Sequence, residues 1–226
     1  MYKRQELHRI RLVLKPDTQH QGTIIENKIH ARADKETLTP ILTAIGLGLN
    51  DGIQNIGLEK NVVVEGPSDY YYLQALKTLL DIEDFNFIYG GGAGNMGHVG
   101  TILMGWGAKV IYLYDNDKGK SDGSKNLRRR WLVRSELILS IMKKKGSIED
   151  LFSRQDFKKY ILRDASAVVT GANSEYIKQN KLEKVLLAKK FITLVHNDSI
   201  ELTKETMERA QDLFEKIKAA FDNWAF

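Results

Sequence analysis

The strongest constraint in this chain is a pair of apolar runs that each end abruptly in acids. "NVVVEGPSDYYYLQAL" begins at Asn61 and "KVIYLYDNDKG" begins at Lys109. Short β-branched runs without polar alternation belong to strands covered on both faces. Helical stretches alternate with them, and that βαβ rhythm predicts an α/β fold, a mostly parallel sheet flanked by helices. Acids at the carboxyl ends of such strands fall where an open α/β sheet places its ligands. Like charges gathered there repel one another unless a cation is shared between them.

Three zones are expected along the chain. Residues 1–34 hold "HRIRLVL" and "GTIIENKI" around the turn-rich "KPDTQHQ", the pattern of a hairpin. A lone hairpin is marginal and packs on something else. Residues 35–165 open with an amphipathic helix in "ETLTPILTAIGLGL", with Leu38, Ile41, Leu42 and Ile45 at helical spacing. Strand "NVVVEG", helix "PSDYYYLQALKTLLD", strand "FNFIY", helix "HVGTILMGWG" and strand "AKVIYLYD" follow. The stretch from Ser124 to Lys145 starts as helix, and "SELILSIM" within it reads as a fourth strand, with more helix as the alternative. Residues 166–226 are helical, first "NSEYIKQNKLEKVLLAKKFITLV" and then a terminal helix. The latter aligns Met207, Ala210, Phe214, Ile217, Phe221 and Trp224 in one stripe. Such a stripe suits the core or a subunit contact, so a homodimer is compatible with it.

Composition removes several classes of function. The chain has no cysteine, which excludes disulfides and thiolate metal sites. Its five histidines lack zinc-type spacing. Apolar runs such as Val110 to Tyr114 are too short to span a bilayer, and the N-terminus lacks a signal-peptide core. A cytoplasmic protein without a membrane partner is expected. Net charge is +5, with basic residues clustered in "KNLRRRW", "KKK", Lys158–Lys159 and Lys189–Lys190. Such clusters suit a polyanion such as nucleic acid, or simply a solvated helix face.

Individual residues sharpen this reading. Glu65 directly follows Val62-Val63-Val64. Asp69 sits two residues past Pro67, where an acid complements a helix dipole. Asp115 and Asp117 point to one side if the strand stays extended, and paired carboxylates suit Mg²⁺; an acidic turn after a strand is the plainer account. In "GSIEDLF", Ser147 with Asp150 fits a capping box, which leaves Glu149 unexplained. "YGGGAGNMG" matches neither a dinucleotide fingerprint nor a P-loop. Its glycines either expose N–H groups to phosphate or make a plain turn. Tyr70, Tyr71 and Tyr72 lie in a helix of apolar periodicity and read as packing.

Taken in order, "VEGPSDYYYL", "GGAGN", "DNDKG" and "SIEDLF" resemble the Toprim domain, specifically the C-terminal region of OLD-family (overcoming lysogenization defect) nucleases. The likeness covers roughly residues 35–190 and includes "LTPILTAIGLGL" ahead of the first strand. It implies a metal-dependent DNA endonuclease using two Mg²⁺ or Mn²⁺ ions. Glu65, Asp69 and Glu149 would hold one ion; Asp115 would bridge to a second, reached by Asp117 and Ser147. Lys184 matches the family's lysine near that second ion, with Lys181 as its rival. Catalysis would then rest on Glu65, Asp115 and Lys184, and DNA would be held by Gly91, Gly92, Asn95, Lys125, Arg128 and Arg129. OLD proteins carry an ABC-type ATPase ahead of this region, and no Walker motif stands here. The resemblance therefore implies an ATPase domain or subunit as partner, with residues 1–34 as its remnant. The alternatives are a receiver-like phosphate- or nucleotide-binding module, or another Toprim activity of topoisomerase or primase type.

Overall fold

The computed structural model of the chain describes residues 12–14, 24–26, 60–92, 94–105, 107–116, 118–142, 146–197 and 200–224. Strands β1 (Leu12–Leu14) and β2 (Ile24–Glu26) pair antiparallel with Val13 opposite Ile25, the hairpin expected from the sequence. The amphipathic helix expected within residues 35–58 lies outside the described residues, as do the "KKK" cluster and Asp117.

The remaining strands are β3 (Lys60–Val64), β4 (Asn86–Tyr89), β5 (Lys109–Tyr114) and β6 (Ile138–Ser140). They form a four-stranded sheet in the order β4-β3-β5-β6, parallel throughout. Val62, Val63 and Val64 are wholly buried, as are Ile111, Tyr112 and Leu113. Burial on both faces is why these runs show no alternation. The run read as a fourth strand does join the sheet, but only after Ser135–Leu137 makes a 3₁₀ turn.

Helices cover both faces. On one side lie α1 (Pro67–Leu79), α6 (Lys184–Asn197) and α7 (Lys204–Asp222), contributing Leu73, Phe191 and Phe214 to one core. On the other side α2 (Met96–Gly105) and α3 (Lys118–Arg130) contribute Val99 and Leu127 to a second core. Gly100 lets α2 come close, because a Cβ there would collide with the Tyr112 phenol beneath it. The stripe of α7 belongs to the chain's own core: Phe214 stacks on Phe85 and Phe87, and Phe221 on Phe85.

Between sheet and C-terminal helices the chain folds irregularly. A 3₁₀ turn at Ile148–Leu151 precedes α4 (Arg154–Asp156), which widens into a π-helix at Phe157–Leu162. A buried polar knot holds this region. Asp156 accepts from the Thr203 N–H at 3.0 Å and from both the Thr203 and Thr206 hydroxyls. The stretch read as one helical run from Asn173 is two helices, α5 (Asn173–Gln179) and α6. The break falls at Lys181, which holds φ +51° while Leu182 N–H donates to the Ile177 carbonyl.

Candidate functional site

β3 runs to β4 on one side, and the chain then crosses back to place β5 on its other side. The strands either side of that reversal, β3 and β5, pair Val64 with Leu113. Glu65 and Asp115, the first residues past each strand, therefore emerge at the same carboxyl edge. This is the crevice in which open α/β sheets bind ligands.

Asp69 joins them from the first turn of α1, where the Gly66 N–H donates to its Oδ2 at 2.9 Å. The helix-start role expected for this acid is thus real, and it also places the carboxylate at the sheet edge. Asp69 is 5% exposed. Burial first, then the charges of Asp115, Glu149 and Glu65, push its pKa well above the usual carboxylate range.

Glu149 arrives from far along the chain. Asn116 and Gly146 exchange backbone hydrogen bonds, so the end of β5 is stitched to the segment leading into the 3₁₀ turn. The Ile148 N–H then donates to Asp115 Oδ1 at 3.1 Å. Behind the turn, the Asn173 amide donates to the carbonyls of Glu149 (3.0 Å) and Phe152 (2.8 Å). Asp150 is occupied structurally: its carboxylate accepts from Ser147 N–H, Ser174 N–H and the Ser174 hydroxyl. That bears out the capping box of Ser147 with Asp150, and the Ser147 hydroxyl also bonds Asp115.

The electrostatics are unusual for carboxylates. Glu149 is wholly buried. Burial raises its pKa, and Lys184 pulls it partly back. Lys184 Nζ lies 3.3 Å from Glu149 Oε1 and 3.4 Å from Oε2. Burial works against the charge of Lys184, but Glu149, Asp115 and Asp69 outweigh it and hold the ammonium above the ordinary lysine value. Asp115 is lifted to about 7, chiefly by burial and Glu149, with Ser147 and Lys184 opposing. Lys181 stands exposed in the turn before α6. The geometry thus separates the two rival lysines, since Lys184 is the one that reaches the carboxylates.

These acids suit a hard divalent cation by their chemistry. All are oxygen donors, they sit in low-dielectric surroundings, and positive charge would keep them ionised at neutral pH. Among the described residues, however, no three His, Asp or Glu side chains converge tightly enough to hold an ion as they stand.

The glycine loop lies on the same edge. Gly90 N–H donates to the Val64 carbonyl at 2.9 Å and Gly92 N–H to the Glu65 carbonyl at 3.1 Å. Gly91 and Gly92 hold φ of +74° and +94°, values that favour glycine. The Asn95 amide donates to the Gly91 carbonyl at 2.9 Å. The expectation of displayed N–H groups is corrected here for Gly92, whose N–H is engaged by the strand end itself. Arg128 and Arg129 are exposed near the far end of α3. That helix starts beside Asp115 and runs away, so at 1.5 Å per residue they lie roughly 15 Å along its axis. Lys125 is exposed about 10 Å along the same axis. The fold thus gathers Glu65, Asp69, Asp115, Ser147, Glu149 and Lys184, and leaves the α3 basic cluster apart.

Tyr70 and Tyr72 are buried and Tyr71 half-buried, so the tyrosines pack as expected. Tyr72 stacks against Phe152 and Phe191. Asn173 and the Ile148 N–H were not identifiable beforehand, because their partners lie 24 and 33 residues away. Among the described residues, no helix is long and apolar enough to cross a membrane. Compared with protein-family models and with curated proteins, the chain finds no match.

Proposed function

We propose that this chain is a Toprim-type nuclease similar to the C-terminal region of OLD-family proteins, hydrolysing phosphodiester bonds in DNA. The observation that carries the reading is that Glu65, Asp69, Asp115 and Glu149 lie near enough at the sheet's switch point to act on one another's charge, with Lys184 paired to Glu149. Glu65, Asp69 and Glu149 would hold one Mg²⁺ or Mn²⁺, with Asp115, Asp117 and Ser147 serving a second. Such ions, when bound, supply Lewis acidity toward the phosphodiester and lower the pKa of water.

The chain's own groups divide the remaining work. Buried carboxylates exclude solvent and fix the position of positive charge in a low-dielectric crevice, where it acts more strongly than in water. The Ile148 N–H and Ser147 hydroxyl hold Asp115 in one orientation. Lys184, already drawn in by Glu149, places an ammonium where charge grows on the phosphoryl oxygens. In this reading an ABC-type ATPase, in the same polypeptide or a separate subunit, works with the site.

Nicking of supercoiled plasmid with Mg²⁺, Mn²⁺, Ca²⁺ or EDTA tests the proposal. Activity with Mg²⁺ or Mn²⁺, abolished by EDTA and by Asp115→Ala in a folded protein, is expected. Undiminished nicking in EDTA, or by that variant, would overturn it.

A further inference from the structure

The nuclease reading calls for phosphate contacts near the carboxylates, and the α3 cluster lies well along its helix from them. A different basic surface stands on α6. Lys184 turns inward with Ala188, Phe191 and Val195, while Lys189, Lys190, Thr193 and Asn197 face outward. With Arg163 and Leu194 they line a cleft of about 310 Å³. Among the described residues, its lining contains three cations and no acid.

The chemistry of the lining points to the kind of ligand it would take. Among the described residues it offers ammonium and guanidinium groups, a hydroxyl and an amide, with Leu194 as its one apolar side chain, and the Lys189 ammonium lies 5.2 Å from the centre of the Tyr71 ring. Charged and hydrogen-bonding groups of this kind suit the oxygens of a phosphodiester backbone.

We propose that the cleft of Arg163, Lys189, Lys190, Thr193 and Asn197 is a phosphate-backbone contact for a DNA strand engaged at the carboxylate site. This rests on the nuclease reading. Lys189 and Lys190 lie roughly 8 Å beyond Lys184 along the helix axis, and Asn197 roughly 20 Å. At about 3.4 Å per phosphate in one strand, that axial offset alone spans a few nucleotides, and the strand would also pass from the inner to the outer face of α6.

The test is binding of a labelled duplex in EDTA, where cleavage cannot intervene, measured by fluorescence anisotropy across a salt series. Arg163→Gln/Lys189→Gln/Lys190→Gln is expected to lower the slope of log K against log salt by about 2 to 3, from roughly 0.9 per phosphate contact. Lys190→Gln alone should lower it by about 1. The control Lys178→Gln/Lys204→Gln/Lys216→Gln removes the same charge elsewhere and should leave the slope unchanged. If the cleft triple variant matches this control, the proposal is overturned. It is also overturned if wild type binds a labelled mononucleotide more tightly than duplex. Loss of slope in the triple variant, with a wild type that never nicks plasmid, would sustain the cleft and sink the nuclease reading. Normal nicking with an unchanged slope in the triple variant would do the reverse.

Discussion

Replacing Lys184 with methionine keeps an unbranched side chain one atom shorter and removes the ammonium beside a wholly buried carboxylate. At the 3.3 Å separation of Nζ and Oε1, an effective dielectric of about 20 gives an attraction of roughly 5 kcal/mol. The lysine side chain is 40% exposed, so solvent screening and side-chain entropy reduce the net value to about 2 kcal/mol. Glu149 already has a raised pKa, and loss of Lys184 raises it further. An acid whose folded pKa is raised contributes stability below its unfolded pKa and loses it as pH climbs. The deficit of Lys184→Met should therefore be small at pH 5 and reach about 2 kcal/mol at pH 8. Urea unfolding in EDTA at both pH values measures it. The double variant Glu149→Gln/Lys184→Met should recover most of the deficit at pH 8, because a neutral amide needs no counter-charge. A deficit equal at both pH values, or additive losses in the double variant, would refute the buried-pair reasoning.

Other outcomes follow from the same geometry. In EDTA, wild-type stability should fall as pH rises from 4 to 8, since Asp115 titrates near 7 when folded and the other acids are raised too. For Asp115 alone that amounts to on the order of 4 kcal/mol at 1.36 per pH unit, and excess Mn²⁺ should flatten the decline in thermal unfolding. Asn173→Ala removes two donors from the carbonyls bracketing the 3₁₀ turn. It should cost about 1–3 kcal/mol in chemical denaturation and reduce plasmid nicking without touching the crevice. Gly100→Ala should destabilise by at least 1–3 kcal/mol, read as a lower urea midpoint, because the new methyl meets the packed Tyr112 ring.

The sheet was legible wherever burial left a mark on composition. β3 and β5 announced themselves because both faces are covered, and Pro67 after Gly66 marked the start of α1. β6 was only half legible, since its first turn is 3₁₀ and only Ile138–Ser140 pair. The break before α6 left no signal, because Lys181 adopts a positive φ without the glycine that usually betrays one. The end of the π-helix was silent for a similar reason, since Arg163 takes its positive φ without a glycine. At the site, the acids could be named from strand ends and from order along the chain. Their partners could not, since Asn173 and the Ile148 N–H act through contacts made only after folding.

Isothermal titration of Mn²⁺ at pH 7.5, run in two buffers of different ionisation enthalpy, is the most direct measurement of whether these acids form a metal site. Saturable binding with net proton release is the expected result, because ions displace protons from carboxylates whose pKa values are raised. Asp115→Asn should weaken it severely. An absence of saturable heat, or a titration unchanged in Asp115→Asn, would contradict the account.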